Sequence, residues 1–262
     1  LIVEDAAEAL GARYDGQVVS GMCGSYGDVS VISYNGNKIV TGSSGGLFVT
    51  NDKADAEKVR KWSTQSREAA PWYQHEELGY NYRMSNIIAG IARGNMLYID
   101  EHIAQKKAIY ERYREGLKDL PVRMNSFEDK RTPNYWLSCL LIDEEAMCRQ
   151  VRGEKDYLYK SETGKSCPQE ILDALIAFNA EGRPIWKPMH LQPIYRMNPF
   201  ITRYGSGRAQ SNAYIGGHGT ADGKPLDIGA DIFERGLCLP SDNKMTEEQQ
   251  DRVIEIVKRC FE

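Results

Sequence analysis

Apolar and polar positions switch between two periods along this 262-residue chain. Leu1-Ile2-Val3 is a short apolar run closed by Glu4-Asp5, which predicts a strand with acids at its C-terminal end. Residues 29–34 and 47–50 predict two more strands, rich in β-formers and bounded by glycines. Between them Gly42, Gly45 and Gly46 bring too much glycine for a regular element. Helical spacing takes over at 52–65, with Asp52 near the start and Val59 and Trp62 on one side. Residues 66–83 hold Pro71, Gly79 and several aromatics and predict a long ordered loop, a length usually kept for function. One long helix is expected over 85–120, N-capped by Ser85, with Met84 over its first turn and Pro121 as its stop. Ile87, Ile91 and Tyr98 form its apolar stripe, its second half is charged, and it is expected to pass from one domain into the next. A strand at 135–142, a helix at 168–179 opening on Pro168 and a terminal helix at 246–261 capped by Thr246 complete the pattern. There is no internal repeat, and strands alternating with helices give an α/β architecture in two domains.

Composition narrows the classes. Charged residues are 27% and hydrophobic ones 41%, a globular balance that argues against disorder and coiled coil. Lys and Arg total 33 against 37 Asp and Glu, a formal charge of −4, which argues against nonspecific nucleic-acid binding and a polybasic membrane surface. No apolar run reaches the roughly 18–20 residues that cross a bilayer, and no secretory signal is visible. Cysteines stand at 23, 139, 148, 167, 238 and 260, without a Cys-x-x-Cys pair or zinc-finger spacing. They read as reduced, mostly buried thiols in a cytoplasmic protein, with no metal site. The absence of any Asn-x-Ser/Thr acceptor agrees with that address. The chain opens without Met inside a strand, and is expected to be a piece of a longer protein.

Two motifs carry little. Thr163-Gly164-Lys165-Ser166 resembles the end of a phosphate-binding loop, but Tyr159 stands where that loop needs glycine and no strand is expected ahead of it, so a surface turn is the better reading. Gly216-Gly217-His218-Gly219 reads as a flexible connection rather than a metal or phosphate site.

The segment after residue 32 is different. Ser33 and Lys38 stand at a strand exit next to glycines, where a crowded, partly apolar lysine suits Schiff-base chemistry as well as it suits a plain surface turn. Asp5 tips that balance, because open α/β sheets bind ligands at the carboxyl ends of their strands. A pyridoxal enzyme needs a lysine, a carboxylate for the pyridinium nitrogen and donors for the phosphate, and these residues supply all three kinds.

In these segments the chain resembles the DegT/DnrJ/StrS family of sugar-nucleotide aminotransferases, pyridoxal phosphate enzymes of fold type I. The resemblance is carried by Val3-Glu4-Asp5-Ala6-Ala7-Glu8-Ala9-Leu10-Gly11, Ser33-Tyr34-Asn35-Gly36-Asn37-Lys38, Gly45-Gly46 and Gly79-Tyr80-Asn81-Tyr82-Arg83-Met84-Ser85. Trp186-Lys187-Pro188-Met189-His190 and Gly236-Leu237-Cys238-Leu239-Pro240-Ser241 extend it over nearly the whole chain. It implies that Lys38 holds pyridoxal 5′-phosphate, Asp5 pairs with the pyridine nitrogen, Glu8 lies by the ring or its 3-hydroxyl and Ser33 binds the phosphate. It implies that Asn81 reaches the cofactor phosphate of a partner subunit, in a homodimer with shared active sites. Trp186, Lys187 and His190 would face the sugar nucleotide, or simply sit on a domain-interface loop.

By the same resemblance, 1–104 is the C-terminal part of a large mixed-sheet cofactor-binding domain and 105–262 a small C-terminal α/β domain. The implied reaction moves an amino group from glutamate to a nucleotide-linked keto sugar, for cell-surface polysaccharide or glycan biosynthesis. Relatives with His in place of the lysine act as dehydratases, which Lys38 disfavours; the non-enzyme rival is a truncated, catalytically silent dimerisation or regulatory module. Ser44 stands where many relatives have an acid, as in the subgroup acting on bacillosamine-type 4-keto sugars. The ring-stacking aromatic and the main phosphate-binding helix N-terminus of the family belong before Leu1, so this chain alone is expected to bind cofactor poorly.

Overall fold

The computed structural model describes residues 1–17, 20–127, 131–195, 198–202, 205–208, 220–221, 224–225 and 227–262. They form two compact units, Leu1–Lys107 with Phe127–Trp136, and Ala108–Ser126 with Leu137–Glu262.

In the first unit β1 (Val3–Asp5) carries the two acids at its C-terminal end, as expected. The chain continues through β2 (Arg13–Asp15), β3 (Ser20–Met22), β4 (Val29–Ser33) and β5 (Gly46–Thr50). β1 runs parallel to β4, with Asp5 opposite Val31, and β5 is antiparallel to β4, with Ser33 opposite Gly46. Helix α1 (Lys53–Ser63) starts where Asp52 accepts the Ala54 N–H at 2.7 Å and the Asp55 N–H at 3.3 Å. It stops short of the expected 65 because Thr64 Oγ1 donates to the Arg60 carbonyl at 2.8 Å and Gln65 and Ser66 turn to positive φ.

The expected loop after α1 is ordered without regular structure. Tyr80 N donates to Trp62 O at 2.7 Å, Gln65 N to Tyr80 O at 2.9 Å, and the buried Ser66 hydroxyl to Leu78 O at 2.9 Å. Gly79 is required here, since a Cβ would stand 2.2 Å from the backbone of Gln65 and Ser66.

The single helix expected over 85–120 is two helices, α2 (Asn86–Met96) and α3 (Ile99–Gly116). Gly94 and Asn95 are weak helix formers, the Asn95 side chain bonds back to Ile91 O, and the chain tightens through Leu97 N to Gly94 O and Tyr98 N to Asn95 O. Ser85 is the N-cap as expected, its Oγ accepting the Ile88 N–H. The proposed stripe of Ile87, Ile91 and Tyr98 is exposed, and among the residues of α2 only Ala92 is buried. Apolar spacing marked a face that these described residues do not cover.

After α3 the chain enters β6 (Val122–Met124) in the second unit, then returns to the first for β7 (Arg131–Thr132), which pairs with β2 on the edge away from β3. The strand expected at 135–142 is β8 (Ser138–Ile142), because Tyr135 at φ 53° turns Asn134 and Trp136 out of a strand's course.

The second unit holds β9 (Arg149–Arg152), β10 (Tyr157–Lys160), α4 (Pro168–Ala177) and β11 (Arg183–Pro184). Two short ribbons follow, β12 (Pro199–Thr202) with β13 (Gly205–Arg208) and β14 (Thr220–Ala221) with β15 (Lys224–Pro225). Then come α5 (Ile228–Arg235), β16 (Gly236–Leu239) and α6 (Glu247–Arg259). The main sheet has the order β11-β16-β8-β6. Its core joins Tyr113 and Leu117 of α3 to Leu140, Ile142, Ile171, Leu175, Leu237 and Val257, all essentially excluded from water. Thr246 and Gln249 close a full capping box on α6.

Residues 163–166 lie at a turn with Gly164 at φ 76°. β10 does precede it, contrary to expectation, but as one arm of an antiparallel hairpin with β9. Gly216-Gly217-His218-Gly219 lies outside the described residues. All six cysteines are free thiols. Among the described residues no helix is long and apolar enough to cross a membrane.

Candidate active site

The site begins at the end of β4. Ser33 Oγ accepts the Asn35 N–H at 3.2 Å and Lys38 N donates to Asn35 O at 3.0 Å, closing a tight turn. Ile39 and Val40 are buried directly behind it, which fixes the backbone from which Lys38 projects. Lys38 Nζ lies 2.9 Å from Glu8 Oε1 and 4.4 Å from the centroid of the Trp136 ring. The lysine side chain is only 12% exposed, while that of Glu8 is 49% exposed. Tyr34, one residue past the strand, is buried, and that burial pushes its phenol up.

Glu8 is delivered by the turn that leaves β1. Ala6 N donates to Val31 O at 3.0 Å, and Asp5 Oδ1 accepts the Ala7 N–H at 3.1 Å. Asp5 thus stands exposed at the end of a parallel strand pair, beside the strand that leads to Lys38. Strand alternation sends Glu4 to the other face. There its carboxylate accepts the N–H groups of Gly24 at 2.6 Å, Tyr26 at 2.9 Å and Gly27 at 3.3 Å.

Ser33 sits on an open cleft of about 1050 Å³, shared with Gly45, Gly46, Trp62, Tyr82 and Arg83. Gly45, at φ 87°, faces Met84, where a Cβ would come within 2.6 Å of the sulfur; a Cβ on Gly46 would meet Ile32 O at 2.5 Å. Gly45 is therefore favoured by its positive φ and Gly46 imposed by the close approach of the Ile32 carbonyl.

The structure brings Lys38 and Glu8 into contact and sets Asp5 and Ser33 at the ends of the neighbouring strands. Asn81 lies in the ordered loop after α1, bridged to Thr64, with an exposed side chain. Trp186, Lys187 and His190 belong to the second unit. There His190 Nε2 is 2.5 Å from Asp227 Oδ2, and Asp227 also caps α5 through the Ala230 N–H.

Two residues around Lys38 escaped the sequence reading, Asn134 and Trp136, as did Asp227 beside His190 in the second unit. Asn134 donates to the carbonyls of Glu8 at 2.9 Å and Leu10 at 3.0 Å and accepts the Trp136 N–H at 3.1 Å. Trp136 Nε1 donates to Asn37 O at 2.6 Å. Only Pro133 ahead of Asn134, a turn signal, marked the place in the sequence.

The donor set fits pyridoxal 5′-phosphate. An enclosed primary amine, an exposed carboxylate one strand away and a hydroxyl at a glycine-lined strand end are the groups that its aldehyde, ring nitrogen and phosphate require. Lys38 would hold the aldehyde carbon, Asp5 the ring nitrogen and Ser33 the phosphate.

Comparison with known proteins agrees with this chemistry. The DegT/DnrJ/EryC1/StrS aminotransferase family model matches residues 1–211. A Bacillus subtilis (strain 168) protein, provisionally described as pyridoxal phosphate-dependent aminotransferase EpsN, is 36% identical over 99% of this chain and 56% of its own length. The GDP-perosamine synthase of Caulobacter vibrioides is 31% identical over 97% of this chain and 57% of its own. The solved structure of Helicobacter pylori PseC, an aminotransferase involved in the biosynthesis of pseudoaminic acid, superposes with a TM-score of 0.72 at 18% identity. It covers 99% of this chain and 59% of that one, and shows a shared fold, that of the type I pyridoxal phosphate aminotransferases. The chain spans somewhat over half the length of the curated relatives it matches. By the match of its first 211 residues, this chain belongs to the DegT/DnrJ/EryC1/StrS aminotransferase family.

Proposed function

We propose that this chain carries the cofactor lysine of a cytoplasmic pyridoxal phosphate-dependent aminotransferase that moves an amino group from glutamate to a nucleotide-linked keto sugar, for polysaccharide or glycan biosynthesis. The observation that carries the reading is the enclosed Lys38 amine, 2.9 Å from Glu8, at the exit of the strand next to the one ending in Asp5. When bound, the cofactor supplies an aldehyde that accepts the amino group and a cationic ring that draws electron density from the bond being broken.

Each residue then has a definable task. Lys38 Nζ would hold the aldehyde carbon and, when free, would take a proton from the donor α-carbon and return it as general acid. Asp5 keeps the proton on the ring nitrogen, so that the ring stays cationic while negative charge develops. Glu8 orients Nζ and lies by the ring or its 3-hydroxyl. Ser33 Oγ donates to a phosphate oxygen.

Asn81, exposed on its ordered loop, contributes to the cofactor phosphate of a second subunit, which makes the working form a homodimer with shared sites. Trp186 and Lys187 bind the nucleotide-linked sugar, the cation on diphosphate and the ring on base or sugar. His190 joins them with its imidazole oriented by Asp227. Residues 1–104, together with the returning segment 127–136, act as part of the cofactor-binding domain and the rest of 105–262 as the small domain.

The test is chemical trapping. The chain, with the segment expected before Leu1 restored, is incubated with pyridoxal 5′-phosphate, reduced with borohydride and mapped by peptide mass spectrometry. The pyridoxyl group is expected on Lys38. Label on Lys165 or Lys187 with Lys38 clean overturns the assignment.

A further inference from the structure

We propose that Trp136 is a positioning residue for the Lys38 amine, seating the charged Nζ against its indole face whenever that nitrogen is unbonded; its catalytic consequence rests on reading Lys38 as the cofactor lysine. Nζ stands 4.4 Å from the ring centroid, inside the ~6 Å range in which an ammonium is drawn to the negative face of an aromatic ring. The ring is itself fixed, being only 7% exposed. Its Nε1–H is donated to the carbonyl of Asn37, the residue just before the lysine, at 2.6 Å. One side chain therefore holds both the backbone and the charge of the same lysine turn.

The other neighbour of Nζ is governed from the same place. Glu8 Oε1, at 2.9 Å, sits on a turn whose carbonyls at Glu8 and Leu10 receive the two N–H bonds of Asn134. Asn134 Oδ1 in turn accepts the Trp136 N–H at 3.1 Å. Tyr135 between them is held at φ 53°, a region that non-glycine residues enter only at a cost. The three-residue bend thus buries a polar network whose shared outcome is the location of Nζ. A tryptophan that merely filled a core would need an acceptor for its N–H, but not one in the lysine turn itself, and not a cation over its face. In the reaction, Lys38 must carry a proton after it leaves the aldehyde carbon. The indole face and Glu8 keep that proton at one position instead of letting a long flexible side chain sweep it into solvent.

The contact is measured on the 262-residue chain without cofactor, so the result does not depend on the cofactor assignment. Trace acetylation with acetic anhydride, resolved by site, compares Lys38 with Lys53, whose side chain is 89% exposed. Because the contact must be surrendered before the amine attacks, Trp136→Leu is expected to raise the Lys38 rate relative to Lys53 about 5- to 30-fold. Trp136→Phe keeps a ring face without the N–H donor and is expected to recover most of that protection. Equal effects of Leu and Phe in folded chains, or no effect of either, overturn the proposal. A second readout uses the unmodified chain: the ε-methylene protons of Lys38 should show an upfield ring-current shift, and an ordinary lysine shift overturns the proposal even where Trp136→Leu fails to fold. Borohydride trapping on a different lysine would refute the catalytic reading while leaving the labelling result intact, so the two failures are distinguishable.

Discussion

Asn134→Ala removes one amide and three hydrogen bonds together, those to Glu8 O, Leu10 O and Trp136 N. Asn134 is 7% exposed and Trp136 equally so, which limits the water that could replace the lost partner on the Trp136 side. A typical intramolecular hydrogen bond contributes about 0.5–1.5 kcal/mol net, and a buried N–H left unpaired costs about 1–3 kcal/mol. The Glu8 carbonyl belongs to an exposed residue and can rehydrate, so its share falls at the low end. The expected loss is about 2–4 kcal/mol, concentrated in the first unit. Hydrogen exchange followed by mass spectrometry reads it directly. Peptides spanning 6–12 and 131–137 should exchange about 30- to 1000-fold faster, while the α4 peptide keeps its wild-type rate. Asn134→Asp retains the acceptor for Trp136 N but loses both donors, and should fall between Ala and wild type at 131–137 while matching Ala at 6–12. Less than about threefold acceleration at 6–12, or equal acceleration in α4, would refute the reasoning that this amide is a local tie.

Further expectations follow from single features. Thr246→Ala breaks the capping box on α6 and should cost about 1 kcal/mol, read as a lowered urea midpoint with unchanged slope. Gly79→Ala forces a Cβ into backbone atoms 2.2 Å away, so tryptic cleavage after Arg67 should accelerate sharply. Gly90→Ala, in α2, places its Cβ where nothing lies within 4 Å and should instead stabilise by up to about 1 kcal/mol in thermal unfolding. Hydrogen bonds from Lys58, Lys61 and Trp62 draw the Glu77 carboxyl down to about 2 from its ordinary 4.5. A carboxyl lowered in the folded chain contributes stability above its unfolded value, lost as pH falls from about 4.5 toward 2; exchange in residues 64–80 should rise over that window, and Glu77→Gln should abolish the dependence.

What could be read from sequence was local. Ser85, Asp52 and Thr246 announced their helix starts because capping is a property of three or four consecutive residues. Asp5 and Lys38 stood out at strand ends and Glu8 through the family resemblance; the structure sets Glu8 against Lys38, a contact that neither reading contained. The break at Leu97 was missed because the apolar period carries across it, while its cause lies in Gly94 and Asn95. Ile87 and Ile91 show the opposite failure: periodicity reports an apolar face, not what covers it. Trp136 and Asp227 were invisible for a different reason. Their partners, Lys38 and His190, lie far away in the chain, and no spacing rule encodes such pairs.

The first unit is interrupted in sequence, since 108–126 belongs elsewhere and 127–136 returns to complete it. That has a consequence for the order in which the site is made. The tie from Asn134 to Glu8 joins residues 126 positions apart, and closing a flexible loop of that length costs roughly 4 kcal/mol before any contact repays it. During synthesis β1, β4 and β5 can pair long before residue 134 leaves the ribosome, so the sheet precedes the seat of its lysine. A nascent chain paused at residue 126 would display the strands with Lys38 still swinging freely. Its amine should then label at the rate of an ordinary surface lysine, and slow only once the bend at Tyr135 has been made.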